Sequence, residues 1–242
     1  MSDEIREQRA QAYRIVYLKL IECYGRPTWR QHLPPVDELV NTILSQSTSD
    51  INRDKGFYAL KKRFPDWESV LNASEDEVID AIHPAGLANQ KGPRIQAALR
   101  TINEQRGALD LGFLAELPLA EAKSWLMQMK GVGPKTAAIV LLFAFERPVF
   151  PVDTHVYRIT RRLGLISPGV SAEKAHSILE EMGESETFYP MHLNLIRHGR
   201  EICHARNPKC LECPLQEDCN FFLAGRTAGT LGVARKEANN LG

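Results

Sequence analysis

Four of the five cysteines in this 242-residue chain fall within seventeen residues, spaced Cys203-x6-Cys210-x2-Cys213-x5-Cys219, while Cys23 stands alone. Thiols gathered this closely form a metal site rather than a disulfide framework, which fits poorly with an odd cysteine count and the charged stretch Met1 to Gly25. Four thiolates can hold either zinc or a [4Fe–4S] cluster, and spacing physics alone leaves both open. A second candidate is Gly131-Val132-Gly133-Pro134. Glycines there let the backbone turn sharply and approach a ligand, and their exposed N–H groups suit a phosphate. The helix after it adds the positive end of its dipole. A plain helix–helix turn with a glycine cap explains the same residues. Lys135 in the first turn and Asp153 at the head of a later helix likewise have ordinary explanations, as a solvated phosphate contact and a helix N-cap.

The elements that must position these residues are helical. Val36, Leu39, Val40, Ile43 and Leu44 follow the i, i+3, i+4, i+7, i+8 spacing of one helix face. Ser74 and Glu77 form a capping box for a helix carrying Val78, Ile79 and Ile82, which His83-Pro84 and Gly86 break. Ile95, Leu99 and Ile102 make a further stripe. Ala122, Trp125, Leu126 and Met129 share a face before Lys130 to Pro134 stops it. The next helix, from Lys135 to about Phe145, is apolar on nearly all sides and so belongs in a core. Pro148 and Pro151 flank a linker, which predicts a domain break near residues 147–151. The stretch 224–242, rich in Gly, Ala and Asn, reads as a flexible tail. The longest apolar run, Ala137 to Phe145, has nine residues, about half of what a membrane span needs. No membrane span is expected.

Leu126-Met-Gln-Met-Lys-Gly131-Val-Gly133-Pro-Lys135-Thr-Ala resembles the helix-hairpin-helix of the endonuclease III family of DNA glycosylases. Pro151-Val152-Asp153-Thr154-His155, with its aspartate eighteen residues after Lys135, resembles that family's catalytic aspartate motif. The cysteine pattern resembles its iron–sulfur loop, which decides for a [4Fe–4S] cluster over zinc. The resemblance covers roughly residues 33–222. It implies an all-α, two-domain fold: a six-helix barrel at 30–148 and a discontinuous iron–sulfur cluster domain at 1–29 and 149–223. It also implies a monomer acting on double-stranded DNA with a damaged base, in base excision repair, and so a cytoplasmic, nucleoid-associated protein. By this resemblance Lys135 is the nucleophile and Asp153 assists it, the two facing one another across a cleft between domains. The chemistry is coherent, since an amine can displace a base at the anomeric carbon and leave a Schiff base that undergoes β-elimination. A free lysine has a pKa near 10.4, so burial and the helix N-terminus are expected to lower it. His155 ranks as a structural hydrogen bonder.

A glycosylase must evert its target base and fill the gap. Leu44-Ser-Gln46-Ser47-Thr-Ser-Asp50 resembles the segment that supplies a gap-filling glutamine, with either Gln46 or Ser47 at that place. Ala85-Gly-Leu87-Ala-Asn89 resembles the loop carrying an apolar wedge, pointing to Leu87. Gly131, Val132 and Gly133 would grip phosphate, and Arg206 and Lys209, between the first two cysteines, would face the DNA backbone. Net charge is zero, with 30 basic and 30 acidic residues, which gives no general basic bias. A local basic face suffices, because fields are screened within about 10 Å at ordinary salt. Adenine glycosylases lack the hairpin lysine and use a glutamate near the position of Thr42. Mismatch or modified-cytosine glycosylases, and a non-catalytic helix-hairpin-helix module, are the remaining alternatives. Oxidised pyrimidines are the expected substrates.

Overall fold

The computed structural model describes residues 3–227, and no strand occurs among them. Twelve α-helices occur in order: α1 Asp3–Tyr24, α2 Pro35–Ser45, α3 Asp50–Arg63, α4 Trp67–Asn72, α5 Glu75–Ala81, α6 Ala88–Arg106, α7 Leu119–Met127, α8 Pro134–Phe145, α9 Thr154–Leu163, α10 Ala172–Met182, α11 Ser185–Glu201 and α12 Asn220–Thr227. No described helix is long and apolar enough to cross a membrane. The chain forms two compact units, Trp29–Pro151 and the described parts of Met1–Thr28 and Val152–Gly242.

The unit Trp29–Pro151 holds α2 to α8. Its centre is α8, where Ala137, Ala138, Val140, Leu141, Leu142 and Ala144 are all buried. The predicted face of α2 packs on it, with Val36, Leu39, Val40, Ile43 and Leu44 buried. Each fully buried Leu, Ile or Val contributes about 1.5–3 kcal/mol, so this pair anchors the unit. Trp29 adds a bond from its indole Nε1 to the Leu142 carbonyl at 2.8 Å. The capping box at α5 is present, with the Ser74 N–H donating to Glu77 at 3.0 Å and the Glu77 N–H to Ser74 Oγ at 3.3 Å.

The unit around α1 and α9–α12 is built from both ends of the described chain. Asn194 on α11 donates to the Gly25 carbonyl at 2.9 Å, and Tyr13 pairs with Thr187 through their hydroxyls at 2.8 Å, fixing α1 against α11. The tail expected from residue 224 is corrected here: α12 continues to Thr227, because Phe222 is buried where α12 packs beside α9. The remainder of that stretch lies outside the described residues.

Close packing limits one glycine. A Cβ on Gly56 of α3 would lie 2.7 Å from the Ala85 Cβ in the 3₁₀ turn His83–Ala85. Forcing that contact costs about 1–3 kcal/mol, and replacing a mid-helix glycine by alanine returns about 1 kcal/mol of helix propensity. Gly56→Ala therefore destabilises the unit by on the order of 1 kcal/mol, read as a lower urea midpoint; a raised midpoint would contradict the packing account.

Candidate functional site

Met129 and Val132 hold the hairpin by burial at 3% and 4% exposure, and the Val132 N–H donates to the Met129 carbonyl at 3.0 Å. Gly131 sits at φ +87°, and a Cβ there would lie 2.8 Å from Cδ of Arg94. Gly133 precedes α8 with no side chain to cap it, and Pro134 supplies the first helical position. The leading N–H groups of α8 are thus left for an anion. Of the expected phosphate grip, Gly131 and Gly133 are exposed, whereas the Val132 side chain is buried and its N–H is taken by the Met129 carbonyl.

Lys135 occupies the second position of α8 and is exposed. The expected burial of this lysine is not found: α8 buries the faces that carry Thr136, Ala137 and Ala138 and turns Lys135 away from them.

Gln46 caps α2 and bridges two neighbours. Its Nε2 donates to the Gly131 carbonyl at 2.9 Å, and Arg94 Nη1 donates to its Oε1 at 3.1 Å. Ser47 comes next at φ 54° and is exposed. Leu87 lies at φ 52° and is 50% exposed rather than packed as an ordinary loop leucine. Left-handed backbone costs a non-glycine residue about 1–2 kcal/mol, so each of the two loops holds one strained residue. Thr42, near the glutamate position of adenine glycosylases, is buried. Its hydroxyl donates to Glu38 at 3.4 Å, and that buried carboxylate also pairs with His32 at 2.8 Å.

Sequence reasoning missed Arg94 and Lys91. The signal was available for the second: Lys91 stands four residues before Ile95, in line with the apolar stripe of α6, and is 1% exposed.

In the other unit Asp153 is half-buried and caps α9, its Oδ1 accepting the Val156 N–H at 2.7 Å. His155 accepts from Arg158 Nη2 at 3.1 Å through Nδ1, which requires the neutral ring. Burial pushes its pKa below the usual histidine value, against the opposing pull of Asp153. Arg158 continues to the carbonyls of Gly199 and Cys203, and Arg162 to those of His204 and Ala205 and to Cys203 Sγ at 3.1 Å. Two α9 guanidiniums therefore brace the start of the cysteine loop. Arg206 and Lys209 are exposed on that loop.

None of the four clustered cysteines is in a disulfide, and they line one hollow of about 280 Å³, open mouth included, with Arg162, Ile202, Pro208 and the aromatic pair Phe221 and Phe222. Cys23 is exposed on α1. Four thiol sulfurs, with no histidine or carboxylate among the residues that wall the hollow, suit a group held by thiolates alone, as an iron–sulfur cluster is. Burial pushes the Cys213 thiol up to about 11 and raises those of Cys210 and Cys219, so binding must displace their protons.

A helical unit with a glycine hairpin, joined in sequence to a four-cysteine loop, defines an iron–sulfur helix-hairpin-helix protein. Residues 40–185 match the HhH-GPD superfamily base excision DNA repair protein family, and residues 203–219 match the iron–sulfur binding domain of endonuclease III. The chain belongs to the HhH-GPD superfamily, as an endonuclease III-like DNA glycosylase with a [4Fe–4S] cofactor. It is 32% identical to endonuclease III of Thermotoga maritima over 81% of this chain and 87% of that protein. A protein of Arabidopsis thaliana assigned as a DNA glycosylase is 38% identical over 69% of this chain, which spans only 57% of that relative's length. DNA glycosylase/AP lyase ROS1 of Arabidopsis thaliana is 28% identical over 71% of this chain and 14% of its own length. A structure of a non-covalent endonuclease III–DNA complex matches with a TM-score of 0.77 at 25% identity, covering 90% of this chain and 98% of that one.

The hollow makes a direct demand on its lining. Cys213→Ser protein is expected to purify with most of its iron, acid-labile sulfide and visible absorbance lost, while Cys23→Ser keeps all three; a fully loaded Cys213→Ser protein would remove this cysteine from the ligand set.

Proposed function

We propose that this chain is a bifunctional DNA glycosylase and AP lyase that removes oxidised pyrimidines from double-stranded DNA, acting as a monomer in the cytoplasm on nucleoid DNA. The observation that carries the reading is Lys135, exposed at the N-terminus of α8 directly behind the Gly131–Gly133 turn. A phosphate gripped by the open N–H groups at the start of α8 would bring the neighbouring sugar to the amine. The nitrogen of Lys135 then bonds to the anomeric carbon, and the glycosidic bond breaks with its electron pair leaving on the base. Asp153 takes up the amine proton or stabilises cationic character on the sugar, with Oδ1 already held by Val156. The sugar ring then opens, the ring oxygen leaving the anomeric carbon with its electron pair and taking a proton, which makes the Lys135 linkage a Schiff base. Loss of a proton from the adjacent sugar carbon sends electrons into that Schiff base and expels the 3′ phosphate, and hydrolysis frees Lys135. Gln46 or Ser47 fills the space of the everted base, Leu87 wedges the opposite strand, and Arg206 and Lys209 meet the backbone. Cys203, Cys210, Cys213 and Cys219 hold the cluster, which orders the loop bearing those two cations.

Excision of a modified cytosine is a second reading, favoured by the resemblance of Ser45-Gln-Ser-Thr-Ser-Asp50 to the plant demethylase branch of the superfamily. A panel of lesion duplexes separates the two: oxidised pyrimidines are expected to be released faster than methylated cytosine, and the reverse order would replace the first reading with the second.

Borohydride reduction with abasic DNA is expected to trap a covalent adduct with the parent protein and none with Lys135→Gln. An adduct of equal yield in that variant would assign the nucleophile elsewhere. Asp153→Asn should bind DNA nearly as the parent does while base release slows by roughly 10²–10⁴-fold; near-parental turnover would discard its role.

A further inference from the structure

Lys91 is the least accessible cation of the unit Trp29–Pro151 that the proposed chemistry leaves unused. Its Nζ donates to the Leu44 carbonyl at 2.7 Å and to the Ala85 carbonyl at 2.9 Å, and the side chain is 1% exposed. It has no carboxylate partner among the described residues. The two acceptors have something in common. Leu44 lies in the last turn of α2, and Ala85 ends the 3₁₀ turn His83–Ala85, so two helical carbonyl ends, each negative in sign, converge on one ammonium.

Each of those ends leads into a loop of the proposed DNA contact: Gln46 is two residues beyond Leu44, and Leu87 is two beyond Ala85. Lys91 thus pins together the bases of the two loops that would fill the vacated base site and wedge the partner strand. The pinning is reinforced locally: the Lys91 N–H donates to the Leu87 carbonyl at 3.0 Å, and Arg94, one turn along α6, holds Gln46. Ser47 and Leu87 keep left-handed backbones that relax unless their surroundings hold them. Removing the ammonium would leave two buried carbonyls without donors and free the loops to drift apart.

We infer that Lys91 is a positioning residue that fixes the spacing of the Gln46 and Leu87 loops, so that opening a duplex depends on it while chemistry on an already unpaired site does not. The inference rests on the proposed roles of Gln46 and Leu87. A single strand has no base stack to open, so a scaffold defect and a duplex-opening defect diverge there.

The experiment compares parent protein, Lys91→Met and Lys91→Gln, each checked for native helicity by circular dichroism. Three readouts are taken: base release from a lesion duplex, borohydride trapping on a single-stranded abasic oligonucleotide, and the fluorescence rise of a 2-aminopurine placed beside the lesion. The expected result is duplex base release reduced by on the order of 10–100-fold and a diminished 2-aminopurine signal, with single-strand trapping within about twofold of the parent. Lys91→Gln carries the comparison if Lys91→Met does not fold. Equal losses in the duplex and single-strand assays, no loss in either, or failure of both variants to fold would reduce Lys91 to a scaffold residue and overturn the inference. If the parent itself traps no adduct, the lyase reading fails, and the 2-aminopurine signal decides alone. A signal diminished in the variants then supports the positioning role, and an undiminished one rejects it.

Discussion

Burial of α8 against α2 is the interaction on which the unit Trp29–Pro151 depends. An apolar helix with six of its central residues buried cannot slide or rotate without exposing them. That immobility passes to its first turn, where Gly133 and Pro134 set the helix start and Lys135 comes next at a fixed direction. The same contact fixes the far end of α2, and with it Gln46. An anion site made of backbone N–H groups is only as well placed as the helix behind it, which is why so apolar an element stands behind so polar a turn.

Polar connections then tie the loops to this core. Arg94 and Lys91 on α6 reach Gln46 and the carbonyls of Leu44 and Ala85, and Gln46 reaches Gly131, so three turns far apart in sequence share one set of hydrogen bonds. The cysteine unit uses a parallel device, since Arg158 and Arg162 reach from α9 to the carbonyls and sulfur of the loop that begins at Cys203. In both places a long cation on a rigid helix satisfies carbonyls that an irregular segment leaves open. Loops held this way can carry strained residues such as Ser47 and Leu87 without collapsing into easier backbone shapes.

The sequence by itself determined the helices with a clear period or cap, including α2, α5 and α8, because side-chain spacing and capping act within one or two turns. It also determined a four-cysteine metal site, because that needs only local spacing to be recognised, and the family with its [4Fe–4S] cofactor through the resemblance of the hairpin, aspartate and cysteine motifs. The tertiary structure alone decided what depends on contacts between distant segments. It turned Lys135 outward where burial was expected, hid the Val132 side chain, left Leu87 half exposed and extended α12 into the expected tail. It also gave Lys91 and Arg94 their tasks. A lysine in an apolar stripe is visible in the sequence, but the two carbonyls it serves lie 47 and 6 residues away, and only packing of the chain on itself brings them to one nitrogen.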